Sequence, residues 1–459
     1  MTAAEPTKPA QGKPTHGRFV TGPLRQHILS MTAAGAVGLV AIFIGDLANI
    51  LFLSRLDDVA LIAAVGYASS LLFIMISISI GLSIGASAAI APELGRGDRD
   101  EARRLAVHAI VLAVLVSCAV AICAYPFVPP LLRVLGADGR ALDLASDYTR
   151  ILLASMPMLA LAIMTGAILR SVGDAQRAMY VTLSVAFVNV LLDPILILYL
   201  EYGIYGAAIA TSISRSVGMG VGLYGAIAIH DLIGRPQAEQ FPRDALRLGR
   251  VGLPAVATNL ATPFANAYVT AAIAAYGDAA VAGWAFVGRL LPVAFGAIYA
   301  LTGAVGPIIG QNYGVADRGR MREAVIEALK VTAAFTLAAW AILAVFSMPI
   351  VMLFRADGDT AALIYAFCLW IAPLFVFLGA MFISNACFNA LGRPQVSTAF
   401  NWTRATFGTI PFVMAFGAWF GAEGVLAGQF IGGVPVGILA VWFALRTVDS
   451  LDLKAGGRV

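Results

Sequence analysis

The chain has 459 residues, 60% of them hydrophobic and 12% charged, with a formal net charge of +4 and a mean hydropathy of +0.86. Soluble domains carry about 25% charged residues, so this composition excludes a soluble enzyme, a disordered chain, a secreted disulfide scaffold and a nucleic-acid binder. The apolar excess must face lipid, and at ~20 residues per crossing the length allows about a dozen crossings.

Residues 1–22 are rich in Pro, Thr, Ala and Lys and lack the apolar core and cleavage site of a signal peptide. A disordered tail is expected there. Twelve apolar segments follow, at roughly 28–53, 61–91, 105–129, 147–172, 178–200, 204–229, 251–275, 280–312, 328–353, 361–388, 397–419 and 423–446. The expected fold is an all-α membrane protein of twelve transmembrane helices in two parallel six-helix lobes. The lobes cover 23–230 and 251–447, joined by a linker at 231–250 and followed by a tail at 448–459. Cys118, Cys123, Cys368 and Cys387 lie in apolar stretches without metal-ligand spacing. No metal, catalytic residue or organic cofactor is expected, beyond a coupling ion.

Orientation follows from basic residues, which favour cytoplasmic loops. With the N-terminus inside, the inner segments hold 22 Lys and Arg and the outer loops 4. Both termini are therefore expected in the cytoplasm, in the inner membrane of a bacterium.

The halves match at a constant offset of 219 residues. Gly95, Asp98, Arg99 and Arg103 fall on Gly314, Asp317, Arg318 and Arg322; Pro130 and Ala137-Asp138-Gly139 fall on Pro349 and Ala356-Asp357-Gly358; Gly173 and Gln176 fall on Gly392 and Gln395. Each half has six segments, an even number, so both enter the membrane with one polarity. They should be related by an axis along the membrane normal, with a cavity between them.

An ionisable group at the centre of a membrane helix costs at least ~2.5 kcal/mol, so its persistence points to function. Asp46 and Asp193 are the carboxylates well inside segments, each seven residues before the outer end of an outward-running segment. Thr211 lies seven residues after the start of the sixth, an inward-running segment, which puts all three about 10 Å below the outer surface. Asn189 precedes Asp193 by one helical turn, and Pro194 removes a backbone donor. The resulting all-oxygen set suits a proton or a hard monovalent cation. At offset 219, Asp46, Asn189 and Asp193 fall on Ala265, Gly408 and Phe412, so the scaffold is duplicated and the charge is not. Arg215, Arg289 and Arg404 also lie within segments. Arg215 and Arg289 are candidate cavity residues or charge partners, although arginines there also snorkel or bond carbonyls at helix ends.

The stretches FIGDLANILFLSRL, AAVGYA, APELGRGD, LRSVGDAQRAM and VNVLLDPILILYLEYGIYGAAIAT resemble the multidrug and toxic compound extrusion (MATE) family of cation-coupled antiporters. The pattern is similar to its DNA-damage-inducible branch, and the resemblance covers about 28–446. It implies two six-helix lobes around a V-shaped cleft, with a cation site carried over as Asp46, Asn189, Asp193 and Thr211. It further implies a monomeric exporter of lipophilic, cationic drugs or metabolites, coupled to H+ or Na+ by alternating access. A second, acidic site of some members is absent: Thr262 and Leu378 or Gly379 stand at its positions. Met31 stands where many members have proline. Two rivals share the architecture. A lipid-linked saccharide flippase needs a strongly cationic cavity, for which only Arg215, Arg289 and Arg404 are at hand. A major-facilitator transporter shares the twelve spans, but GRGDRDEARR departs from that superfamily's loop spacing.

Overall fold

The computed structural model describes residues 17–56, 58–353 and 356–451. Among these, all regular structure is helical. The α-helices are α1 (Leu24–Ser54), α2 (Val59–Arg96), α3 (Arg99–Ala124), α4 (Val128–Val134), α5 (Gly139–Ala154), α6 (Met156–Val172), α7 (Ala175–Asp193) and α8 (Gly203–Tyr224). The second half holds α9 (Phe241–Ala274), α10 (Asp278–Gly314), α11 (Arg318–Val345), α12 (Ser347–Leu353), α13 (Gly358–Ala366), α14 (Phe375–Ala390), α15 (Pro394–Ala405), α16 (Ile410–Ile431) and α17 (Gly433–Asp449).

Among the described residues, length and composition alone mark eight helices as able to cross a bilayer, and nine with the α5–α6 pair, which bends by 52°. Three further crossings account for the expected twelve. α8 and α9 fall short because they carry polar groups within the crossing: Thr211, Ser212, Ser214 and Arg215 in one, Thr258, Asn259, Thr262 and Asn266 in the other. The third is hidden in α16, which reverses at Gly421 (φ 66°, ψ −144°), a backbone conformation that favours glycine. The returning arm packs antiparallel on the first: Gly424, Gly428 and Gly432 lie against Phe416, Phe412 and Gly408. A Cβ on Gly432 would overlap the Gly408 carbonyl oxygen.

The duplication is visible atom by atom. Asp98 accepts a hydrogen bond from the Glu101 N–H at the start of α3, and Asp317 accepts one from the Arg320 N–H at the start of α11. Gly97 before α3 and its counterpart Ala316 before α11 share left-handed φ values of 80° and 59°. Arg99 donates to the carbonyl of His230 and its counterpart Arg318 to that of Leu451, so each lobe is closed by the same contact. Gly95 packs on the backbone of Gln311 while Gly314 packs on that of Pro92, and Pro92 and Gln311 are themselves 219 apart. This reciprocal contact marks the pseudo-two-fold axis.

One end of the bundle carries the basic loops, and there the lobes are bolted together. Arg247 of α9 bridges Glu93 (2.6 Å) and Glu101 (3.2 Å), Arg104 holds Asp244 (3.0 Å), and His108 Nδ1 lies 2.7 Å from the same carboxylate. Gln311 donates to the Ser171 carbonyl and accepts from the Phe19 N–H. Among the described residues, every interlobe hydrogen bond lies at this end. At the opposite end the apolar cores are separate: one runs from Leu53 to Ala208 within the first lobe, the other from Val269 to Phe430 within the second. The lobes therefore touch at the basic end and part toward the other, leaving a cleft.

Two expectations are corrected. Residues 17–22 are not a loose tail: Arg18–Val20 form a 3-10 turn and Phe19 is 1% exposed, packed with Leu24, Ile28 and the second-lobe core. Burying one such ring stabilises by about 2 kcal/mol. Residues 1–16 and 452–459 lie outside the described residues. The linker is also shorter than expected, since α9 begins at Phe241 and its first turns supply the charges that bolt the lobes.

The basic end gives one pH prediction. Asp174 caps α7 and meets Arg177 and His230 Nε2, the latter at 2.6 Å. Burial alone would raise its pKa, but the His230 and Arg177 hydrogen bonds hold it well below the usual carboxylate range. A depressed folded-state pKa contributes stability that is present above the unfolded value and lost as pH falls through the folded one. Asp174→Asn should therefore lower the thermal unfolding midpoint at pH 7. The gap to wild type should narrow once the pH falls below about 4, where Asp in an unfolded chain protonates. Thermal melts of both chains across that range in detergent check this.

Candidate cation site and cleft

The cleft face of α1 is fixed by its contacts. Gly38 and Gly45 pack on Thr182 and Ala186 of α7, whereas Gly35 packs on Ala300 of α10 in the other lobe. Asp46 is eleven residues beyond Gly35, almost an integral number of turns. It therefore projects toward the second lobe, where the lobes have parted, and it is exposed. Asp193 ends α7 and is fully buried, at 0% exposure. Its Oδ2 accepts from Asn49 Nδ2 at 2.9 Å and from Asn189 Nδ2 at 3.4 Å. Its Oδ1 is buried and without a donor. A buried carboxylate oxygen with no partner costs a few kcal/mol unless a cation or proton joins it.

The local sequence makes this arrangement. Pro194 cannot donate to the carbonyl one turn before it, and the helix passes into a π turn over Pro194–Tyr199. The counterpart span in the second lobe is broken too, between α15 and α16 at 406–409. Interrupted helices at corresponding places in two halves are the backbone signature of a transport site.

Asp46 stands one turn before Asn49, the residue that donates to Asp193, and the buried Tyr148 of α5 lies beside Thr211 of α8. Ser214 Oγ lies 2.8 Å from the Thr211 carbonyl and 3.3 Å from Asn189 Oδ1, tying α8 to α7. Asp46, Asn189 and Asp193 are thus brought to one place, and Thr211 stands at its edge behind Tyr148. Asn49, Tyr148 and Ser214 escaped the sequence reading. Asn49, one turn after Asp46, carried a usable signal; Tyr148 lay outside any motif.

Arg215 does not answer a carboxylate. Its Nη1 donates to the Leu152 carbonyl (3.1 Å) and the Ser155 hydroxyl (2.9 Å), satisfying the break between α5 and α6. Arg289 is exposed on α10. It lies eleven residues from Ala300 toward the parted end, as Asp46 does from Gly35, so the two share a depth across the cleft. Arg404 is buried, donates from Nη2 to Thr262 Oγ1 (3.1 Å), and has no partner for Nε. At Thr262 a hydroxyl thus faces a guanidinium.

A family model named MatE matches residues 36–195 and 254–414, two copies at the spacing of the repeat. The chain belongs to the MatE family. This MATE protein is a multi-pass efflux transporter that handles small molecules, not an enzyme. It is 29% identical over 447 residues to a protein named FAD transporter from Shewanella oneidensis, covering 96% of this chain and 98% of that one. It is 24% identical over 452 residues to the multidrug export protein MepA of Staphylococcus aureus, covering 95% and 98%. The crystal structure of a mutant of the Vibrio cholerae MATE transporter VcmN superposes with a TM-score of 0.89 at 26% identity, covering 94% and 98%. An outward-facing multidrug-resistance MATE transporter shares the fold at a TM-score of 0.89 and 24% identity, covering 96% of this chain and 99% of that one. These likenesses place the MATE chain in the family as a whole, not in one branch.

Proposed function

We propose that the chain is an H+- or Na+-coupled antiporter that exports lipophilic small molecules through the cleft. The observation that carries this is the free, fully buried Oδ1 of Asp193 beside Asp46, in one lobe only. Two carboxylates in one site repel, and the pair is relieved by taking up a proton or cation. The ion enters from the parted end, neutralises the pair and rearranges α1, α7 and α8. Substrate leaves outward, and discharge of the ion at the basic end resets the lobe. Coupling needs only that ion and substrate prefer different states.

In this reading the bolted end is cytoplasmic and carries both termini, in a bacterial inner membrane; the excess of Lys and Arg in its loops supports this. The cleft belongs to one chain, so a monomer suffices. The carboxylates at the cleft suit substrates with cationic character, in keeping with the name of MepA. The name of the Shewanella relative points to a phosphate-bearing substrate instead, and the second lobe's Arg404, which donates to a hydroxyl and keeps a free Nε, leans the same way.

The test is efflux of a fluorescent cationic dye from proteoliposomes, with a pH gradient and a Na+ gradient imposed separately. One of the two should drive efflux. Dye movement indifferent to both would overturn ion coupling, and no movement at all would overturn export of this substrate class.

A further inference from the structure

A cavity of about 90 Å³ lies between the lobes near the basic end. Its lining pairs at the offset of the repeat: Ser83 with Thr302, Ser87 with Gly306, Arg170 with Asn389. The cavity therefore straddles the pseudo-two-fold axis, on the closed side of the transport path. The charge is not repeated across the halves: Arg170 is matched by the neutral Asn389, which leaves a single guanidinium beside the axis.

That guanidinium has no conventional partner. Arg170 sits in the last turn of α6, where a cation can favour the helix dipole. Its side chain instead runs back beside Gly166 and across to Gly303 of α10, so that Cβ atoms there would stand 3.4 Å from Nη1 and 3.5 Å from Nε. The carbonyls of Leu169 and Arg170 are taken by the backbone N–H groups of Asp174 and Gly173. Among the described residues, no carboxylate lines the cavity and none pairs with Arg170. Asn389 opposite is buried with no partner for its Oδ1, so nothing holds the amide from turning its Nδ2 donor toward an anion, and the Ser87 and Ser171 hydroxyls stand 3.0 Å apart at the wall. Arg170 is half-buried, and an unpaired guanidinium enclosed between two lobes is stabilised when an anion joins it.

We propose that this axial cavity binds one anionic group of the transported substrate, a phosphate or carboxylate, between Arg170 and the side-chain amide of Asn389. The inference rests on the antiporter reading and adds to it the substrate's charge. The volume fits a group of a few heavy atoms, since a single water needs ~10–15 Å³. The rest of the molecule lies in the cleft above. When the basic end opens, the axis is the first place a cytoplasmic substrate meets.

The experiment uses the full chain in phosphatidylcholine nanodiscs and compares FMN with riboflavin, which differ by one phosphate. Wild type should bind FMN at least about tenfold tighter, equivalent to ~1.4 kcal/mol, and inorganic phosphate should compete with FMN and raise the thermal unfolding midpoint. Arg170→Gln should erase all three effects, and Arg170→Lys should keep part of them. Asn389→Asp places a carboxylate across from Arg170. It should erase them while holding or raising the unfolding midpoint, which separates loss of the site from loss of fold. The proposal is overturned by a wild-type chain that phosphate does not stabilise and that does not prefer FMN, or by effects that survive both Arg170→Gln and Asn389→Asp. Abolition of the FMN preference by phosphatidylglycerol in the nanodisc would assign the cavity to a lipid headgroup and overturn the substrate assignment. Gradient-driven efflux of the cationic dye, which carries no phosphate, is scored separately. If it persists while the FMN preference is missing, only the axial site fails; if it too is missing, the antiporter reading fails.

Discussion

Asp193→Asn and Asp46→Asn should each reduce gradient-driven efflux by two orders of magnitude or more, and the double variant should be no worse than either. The reason lies in the geometry. Asp193 is fully buried, with one oxygen held by Asn49 and Asn189 and the other free. Asp46 stands at the cleft within its electrostatic reach. Two groups that form one binding unit are strongly non-additive, because losing either destroys the unit. Asn keeps the shape and the hydrogen bonds but cannot take up a proton or balance a cation. Fold should survive, since an amide at either position removes a charge that nothing in the lobe neutralises. Initial efflux rates of the three variants, normalised to protein in the vesicles, check this. Additive losses would mean two independent carboxylates.

The second large effect concerns the bolted end. Gly95→Val and Gly314→Val should each hold the lobes apart there and abolish transport while each lobe stays folded. A Cβ on Gly95 would overlap the Gln311 carbonyl, and one on Gly314 the Pro92 carbonyl. Backbone cannot move aside as a flexible side chain can, and overpacking of this kind costs about 1–3 kcal/mol. Spread over a two-state equilibrium, that is a shift of about fivefold to a hundredfold toward the state open at the basic end. A cysteine at Ser171, buried against Gln311 in the closed arrangement, should react faster with a water-soluble maleimide in either variant. The pseudo-two-fold predicts similar effects from the two glycines, because their contacts are reciprocal. Unchanged labelling would mean that this end is not the one that opens.

Much of the fold could be read from residues alone because membranes impose a simple rule. Uninterrupted apolar runs have to cross, and twelve of them fix the number of spans. The repeat was legible for a different reason: turns and caps need particular residues, so Asp98 and Asp317 persist at fixed offset where apolar neighbours drift. What was not legible were features decided by one residue's environment. Phe19 is a lone aromatic in a polar tail, and nothing local announces its pocket. Asp244 and Arg247 read as loop charges because their partners, Arg104, Glu101 and Glu93, lie in a different lobe.

The candidate site shows the same division. Asp46, Asn189 and Asp193 could be picked out because charge within a span is costly and because Asn189 and Asp193 share a helix face. Arg215 could not be assigned, since a guanidinium serves a carboxylate or a carbonyl equally well. Only the break at Ala154–Ser155, next to Leu152, decides for the carbonyl. Arg170 is, in sequence, one of the 22 basic residues of the inner segments. Its place beside the axis appears only when the cavity lining is compared with itself across the repeat.

The central claim is that one buried carboxylate pair exchanges its ion for substrate. The most direct measurement is ion release by the purified chain as a transported dye binds. Proton release would be followed with a pH indicator in weakly buffered solution, and sodium release with a radioactive tracer. The wild type should release one of these ions as dye binds, and the Asp46→Asn, Asp193→Asn double variant should bind dye and release neither. Dye binding without ion release in the wild type, or equal release from both chains, would contradict the account.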